Sequence, residues 1–311
     1  MSAGAVGAGR KRPHDAGRAC LPVADGFVER PDGVRIAYEV FGAGEPTIVM
    51  LPSSPIVHSR QWKAQVPFLS RSYRVVTYDG RGNGRSDRPT DPDLYEEARI
   101  VGDLEAVLDA TGTRAAVLVG LCSDGVWRAI ELASSRPARV LGIVAFAVGV
   151  PLLSPPHPWR GLATFDEEQS SYEGWAKENG HYWSRDYPGF VDFFFHAITS
   201  EPHSTKQIED SIAWALEGSV EAMLAEARVP FSLNVEDVER ICRSVRCRML
   251  LVHGTDDHCQ PIARAYRLAA LTGAPLIVVE GADHLIPARH PVMSNLLIRD
   301  FVAGLAAENA R

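Results

Sequence analysis

The sequence predicts an α/β protein: a mostly parallel central sheet with helices on both faces and a helical cap inserted in its second half. Three observations carry this. A hairpin signal stands near the start, apolar strand-like runs then alternate with helix-period segments, and the alternation stops near residue 151 and resumes near 241. A hairpin followed by β/α alternation implies parallel strands joined by crossovers that cover both faces of the sheet.

The hairpin comes from residues 27–30 and 34–40, parted by Pro31-Asp32-Gly33, residues that favour a turn. Residues 47–51 (TIVML) form a continuous apolar run, as a strand buried on both faces requires. Residues 73–78, 115–121, 140–147, 247–252 and 275–279 read the same way. Ile100, Leu104, Val107 and Leu108 follow helical spacing, as do Ile262, Tyr266 and Ala269, and a last helix is expected over 291–306. Residues 151–240 show no strand pattern and hold Trp159, Trp175, Trp183 and Trp214. Most of these aromatics are expected to form the insertion's own core, with a few facing a ligand. The division is therefore a disordered tail over 1–22, rich in Gly, Ala and Arg, a core over 23–150 and 241–311, and a cap over 151–240.

Composition excludes several classes of function. The 311 residues carry a formal net charge of −7 and no long basic run beyond the N-terminus, so neither nucleic acid nor an anionic membrane is expected as partner. No apolar run reaches the ~18 residues of a membrane span, and the N-terminus lacks the apolar segment of a secretory signal. Cys20, Cys122, Cys242, Cys247 and Cys259 are odd in number and irregular in spacing. They suggest a reducing, cytoplasmic setting rather than a disulfide framework. No His/Cys cluster has zinc-like spacing, so neither metal nor cofactor is expected.

In open α/β sheets ligands bind at the carboxyl ends of the strands, so the loops there hold the candidate chemistry. Pro52-Ser53-Ser54-Pro55 follows the first buried strand. Proline has no N–H, which leaves Ser53 or, preferably, Ser54 to supply an oxyanion-hole amide. The plain alternative is a turn rich in Ser and Pro. The next loop, Asp79-Gly80-Arg81-Gly82-Asn83-Gly84-Arg85-Ser86, is not a phosphate cradle, because no Lys-Ser/Thr at a helix start follows.

That glycine-rich segment, YDGRGNGRSDRP, resembles the D-x-R-G-x-G-x-S loop of the α/β-hydrolase family, and the similarity runs through most of the chain from about residue 27. Residues 56–89 also resemble hydrolase domains fused to bacterial adenylate cyclases. The resemblance implies a nucleophile elbow, G-x-nucleophile-x-G, at a sharp strand-to-helix turn. Gly120-Leu121-Cys122-Ser123-Asp124-Gly125 fits in two registers. With Cys122 as nucleophile, Asp124 replaces the second glycine; with Ser123, Leu121 replaces the first. Spacing from Gly112 favours Cys122 and spacing to Pro137 favours Ser123. An insertion is cheaper in a loop after a helix than in a central strand, which tips the choice to Cys122. A buried free cysteine acting only as a small hydrophobe is the ordinary alternative.

The same resemblance places the acid at Asp257 within His253-Gly254-Thr255-Asp256-Asp257, and the histidine at His284 within Gly281-Ala282-Asp283-His284. The order nucleophile, acid, histidine is that of the family. Asp257 has a humbler reading as a helix cap. Cys259 stands at a helix start with no base in its register. The expected function is cofactor-independent cleavage of a small ester, thioester or lactone, its acyl group apolar or aromatic, through a nucleophile–Asp–His triad, with Ser54 and Ser123 amides holding the oxyanion. Acyl transfer or cyclisation through Cys122 is the alternative. A non-catalytic receptor or lyase-type member of the fold is the second.

Overall fold

The computed structural model describes residues 18–53, 55–160 and 165–309, with side chains to 307. The larger part of the expected tail, residues 1–17, lies outside the described residues. Arg18 pairs with Glu39 at 2.5 Å and sits over the Phe41 ring.

The chain forms β1 (Ala24–Glu29), β2 (Arg35–Phe41), β3 (Thr47–Met50), α1 (Val66–Leu69), β4 (Val75–Tyr78), α2 (Glu97–Ala110), β5 (Ala116–Leu121), α3 (Cys122–Ser135) and β6 (Val140–Phe146). There follow α4 (Gly180–Ile198), α5 (Thr205–Leu216), α6 (Val220–Ala227) and α7 (Val235–Ser244), then β7 (Arg248–Gly254), α8 (Ile262–Thr272), β8 (Leu276–Val279), α9 (Ile286–Arg289) and α10 (Pro291–Asn309). One eight-stranded sheet runs in the order β1-β2-β4-β3-β5-β6-β7-β8. The β1–β2 and β2–β4 pairings are antiparallel and the remainder parallel.

Alternation along each central strand feeds two cores. Val49, Leu118, Ile143 and Leu251 face α2, α3, α7 and α8. Ile48, Val119, Val144 and Val252 face α1, α9 and α10. Side chains of period two point to opposite faces, so a strand covered by helices on both sides must be apolar throughout. That is why β3, β4 and β5 are buried at every residue. Among the described residues no helix is long and apolar enough to cross a membrane.

The glycine-rich loop after β4 folds around its own aspartate. Asp79 accepts from the Ser59 and Arg85 amides at 3.0 and 2.9 Å. Gly84 has φ +51°, and a Cβ there would lie 2.3 Å from the Asp79 carboxylate. Arg81 is buried in a pair with Asp103 at 2.7 Å. The segment ties the sheet's antiparallel edge to α2 and presents no anion cradle.

Between β6 and β7 the described residues contain helices and turns and no strand. Helices α4, α5 and α6 pack around an aromatic interior of Trp183, Tyr187, Phe190 and Phe195. Helix α7 joins the core instead, where Val238 and Cys242 are fully buried against the sheet.

Candidate active site

The turn from β5 into α3 has no connecting residues. Leu121 ends the strand and Cys122 opens the helix with φ +63°. A non-glycine residue in that left-handed region is strained, and such strain persists only where the surroundings enforce it. The surroundings here are the backbone itself. A Cβ on Gly120 would lie 2.5 Å from the Gly125 carbonyl oxygen, and one on Gly125 would lie 3.2 Å from both Gly120 Cα and the Pro52 carbonyl oxygen. Gly120 and Gly125 therefore touch each other across one turn, which explains why each sequence register found only one of its two glycines. Asp124 points away, 3.5 Å from Arg128 one helical turn on. Ser123 is the second residue of α3, its Oγ 3.7 Å from the Cys122 sulfur.

The loop after β7 supplies Asp257, buried and facing His284 Nδ1 with both oxygens, at 3.0 and 2.9 Å. Asp257 Oδ1 also accepts from the Cys259 and Gln260 amides at 2.8 Å each, so the capping geometry and the histidine partner coexist in one carboxylate. His253 Nε2 approaches Asp257 Oδ2 to 3.4 Å. Asp256 is outside this cluster and bonds Ser200 Oγ at 2.5 Å.

His284 comes from the loop after β8. With Nδ1 committed to the carboxylate, Nε2 is the nitrogen left for the sulfurs: a His284 ring nitrogen and the sulfurs of Cys122 and Cys259 all lie within 4.8 Å of one another. Cys259, set aside in the sequence as standing at a helix start with no base in its register, thus meets His284 through the fold. Cys259 is buried, and Arg160 donates to its sulfur at 3.2 Å and to its carbonyl oxygen at 2.9 Å. The Gln260 amide reaches both sulfurs, at 3.6 Å from Cys122 and 3.7 Å from Cys259. Sequence reading missed Cys259, Gln260 and Arg160. The only available signal was that the first two closely follow Asp257; Arg160, from the insertion, carried none.

The electrostatics follow from this packing. The Cys259 thiol directed at Cys122 and, against the opposing effect of burial, the nearby His284 charge hold the Cys122 thiol well below its ordinary range. Cys259, bonded to Cys122 and buried, is pushed well above it. Burial alone would lower the His284 imidazole, but the Asp257 carboxylate overrides it and raises it well above its ordinary value. Burial likewise opposes ionisation of Asp257, and His284 holds it low.

These groups open into a cavity of about 170 Å³. Its floor is Leu121, Cys122, Ser123, Cys259, Gln260 and His284, and its walls are largely aromatic: Trp62, Trp183, Phe190, Phe194, Phe195 and Trp214. Of the insertion's tryptophans, Trp183 and Trp214 line the cavity, Trp159 stacks on His157 near the surface, and Trp175 packs against the Arg160 guanidinium. Ser53 lines the cavity as well, its Oγ 2.7 Å from the Gln61 side-chain amide. Ser54, the favoured oxyanion donor, lies outside the described residues.

Comparison with known proteins agrees with this architecture. The α/β-hydrolase fold model matches residues 46–291. A non-heme chloroperoxidase of Streptomyces lividans is 29% identical over 89% of this chain and 99% of its own. A bifunctional esterase/perhydrolase of Acinetobacter calcoaceticus is 25% identical over 84% and 94%. The crystal structure of an esterase from Rhodococcus shares the fold with a TM-score of 0.72 at 21% identity, covering 90% of this chain and 99% of that one. The relatives' names support a hydrolase. With its sheet order, its helical layers and the family match over most of its length, the chain belongs to the α/β-hydrolase fold family.

Proposed function

We propose that this protein hydrolyses a small ester, thioester or lactone with an apolar or aromatic acyl group, using Cys122 as nucleophile, His284 as general base and acid, and Asp257 to orient His284. The observation that carries the reading is Cys122 itself: it occupies the strained strand-to-helix turn, with a His284 ring nitrogen within 4.8 Å of its sulfur. Strain of this kind clusters at working groups, and a thiolate paired with an imidazolium is a competent nucleophile at neutral pH.

In this scheme the Cys122 thiolate adds to the acyl carbon and the carbonyl electrons move to oxygen. The Ser123 N–H, at the positive end of α3, is placed to receive that charge, and a second donor is assigned to the loop after β3, at Ser54. Collapse expels the alcohol or thiol, which takes its proton from His284. Water then attacks the acyl-thioester as His284 removes its proton, and the acid leaves. Asp257 stabilises the imidazolium throughout. The aromatic walls suit a flat acyl group. A cavity of about 170 Å³ is near the ~150 Å³ that accepts benzene in an engineered apolar site. An alcohol or amine in place of water turns the same scheme into acyl transfer.

The test is site-resolved labelling. Treatment with iodoacetamide and, separately, with a fluorophosphonate is followed by fragmentation of the tryptic peptide 115–128, which holds both Cys122 and Ser123. Alkylation of Cys122 that falls sharply in His284→Ala is the expected result. Base-dependent phosphonylation of Ser123 would move the nucleophile one residue and make the protein a serine hydrolase. Inertness of both would leave a ligand-binding or lyase-type member of the fold.

A further inference from the structure

Cys259 takes no part in the acyl scheme, yet its sulfur is buried against the two groups that do. Two sulfurs and an imidazole nitrogen are soft-to-borderline donors. All three atoms lie within 4.8 Å of one another. A tetrahedral zinc ion, with Zn–S about 2.3 Å and Zn–N about 2.0–2.1 Å, spaces its ligand atoms by about 3.5–3.8 Å. Closing the set around a metal therefore takes shifts of about 1 Å, within the reach of small side-chain rotations.

We propose that Cys122, Cys259 and His284 form a binding site for a thiophilic divalent cation, Zn²⁺, which occupies the cavity floor and silences it toward acyl substrates. The surrounding groups match what such a site needs. Asp257 holds His284 Nδ1 at 2.9 Å, the carboxylate–histidine arrangement that fixes the tautomer and aims Nε2 at a metal. The Gln260 amide sits 3.6 and 3.7 Å from the two sulfurs and can donate to thiolates there. All three residues line the cavity, which leaves room there for a fourth ligand, as in three-ligand zinc sites that keep a place open. Two thiolates balance the charge of a divalent ion. Arg160, 3.2 Å from the Cys259 sulfur, opposes a cation beside that ligand, and its own pairing with Glu178 offsets that charge. Mg²⁺ and Ca²⁺ demand oxygen ligands and find none in the set.

Metal binding rests on the three donors alone; silencing rests also on the nucleophile reading, because the ion would tie up the Cys122 sulfur and His284 together. Reduced full-length protein is titrated with Co²⁺ and then Zn²⁺. One equivalent of Co²⁺ should give thiolate-to-cobalt charge-transfer absorption, abolished by one equivalent of Zn²⁺ and untouched by excess Mg²⁺. Cys259→Ser should lose about tenfold or more in Zn²⁺ affinity against a colorimetric chelator, since loss of even a supporting partner costs that much. A near-ultraviolet circular dichroism spectrum matching the parent's shows that the same variant has folded, and His284→Ala should weaken the metal similarly. Unchanged affinity in Cys259→Ser, or a cobalt spectrum without a sulfur band, overturns the site. Tight one-to-one binding by a protein that hydrolyses nothing supports the site while sinking the hydrolase reading. Hydrolysis that survives a full equivalent of bound Zn²⁺ overturns the silencing.

Discussion

The sheet core and the helical insertion solve different problems with different side chains. The core interior is aliphatic, built from Val, Ile and Leu on strands that are buried on both faces. Its strand ends supply Cys122, Asp257 and His284, each at a loop that the sheet fixes in place. The insertion interior is aromatic, with Trp183 and Phe190 rings 4.6 Å apart and Phe190 and Phe194 rings 5.5 Å apart. It lines the cavity with rings, and its Arg160 reaches Cys259. On the proposed reading the difference separates reactivity from selectivity: the sheet's strand ends carry the candidate reacting groups, while broad rings of the insertion shape the space above them.

Four substitutions probe that separation, in falling order of effect. Cys122→Ala and His284→Ala should each lower kcat by about 10⁴-fold or more, since members of such a unit fail together. Retention of more than a tenth of the parent rate in either would detach the chemistry from the strand ends. Leu118→Ala, at a fully buried position in the middle of β5, should cost about 2–5 kcal/mol of stability, read as a lower midpoint in urea. Kinetics of the remaining folded protein should show an unchanged preference among acyl groups. Phe194→Ala, half-buried on the cavity wall, should do the reverse: a benzoyl ester should lose about tenfold in kcat/KM relative to an acetyl ester, with a smaller change in urea midpoint than Leu118→Ala. An unchanged benzoyl-to-acetyl ratio would deny the insertion its part in selectivity.

The smallest effect concerns the seam between the two regions. Arg128 on α3 gathers Glu97, Asp124 and Glu226 at 3.2, 3.5 and 3.4 Å. Glu131, one turn further along α3, is pushed up to about 9 by burial and by the like charge of Glu97. A carboxylate raised in the folded state contributes stability that is complete below its unfolded value and lost as pH rises through its folded value. The parent should therefore weaken between about pH 5 and pH 9. Glu131→Gln should flatten that fall, and its gain in melting temperature should be larger at pH 8 than at pH 5. An equal gain at both values would place the proton elsewhere in the cluster.

Much of this was legible in the sequence because its causes are local. Period-two and continuous apolar runs located seven of the eight strands to within two residues and β1 to within three, and between β6 and β7 the described residues contain no strand, although α7, from Val235, packs on the sheet. The loops bearing Asp257 and His284 could be located because each directly follows a strand-like run, and the family resemblance singled out the two residues within them. Other signals were ambiguous for a physical reason. A motif written as G-x-nucleophile-x-G assumes that the second small residue stands two positions on, whereas the contact that matters is between Gly120 and Gly125 across the turn.

By itself the sequence determined the order of elements, the two-faced burial of the central strands and the identity of the groups at their carboxyl ends, since each depends on neighbours a few residues away. Only the tertiary structure decided which groups meet. It put Cys122 in the strained turn, and it carried Cys259, 137 residues further along the chain, to the same spot beneath His284. No spacing rule spans that separation, because the juxtaposition is made by three parallel strands, β5, β7 and β8, whose carboxyl ends are aligned by their hydrogen-bonded register.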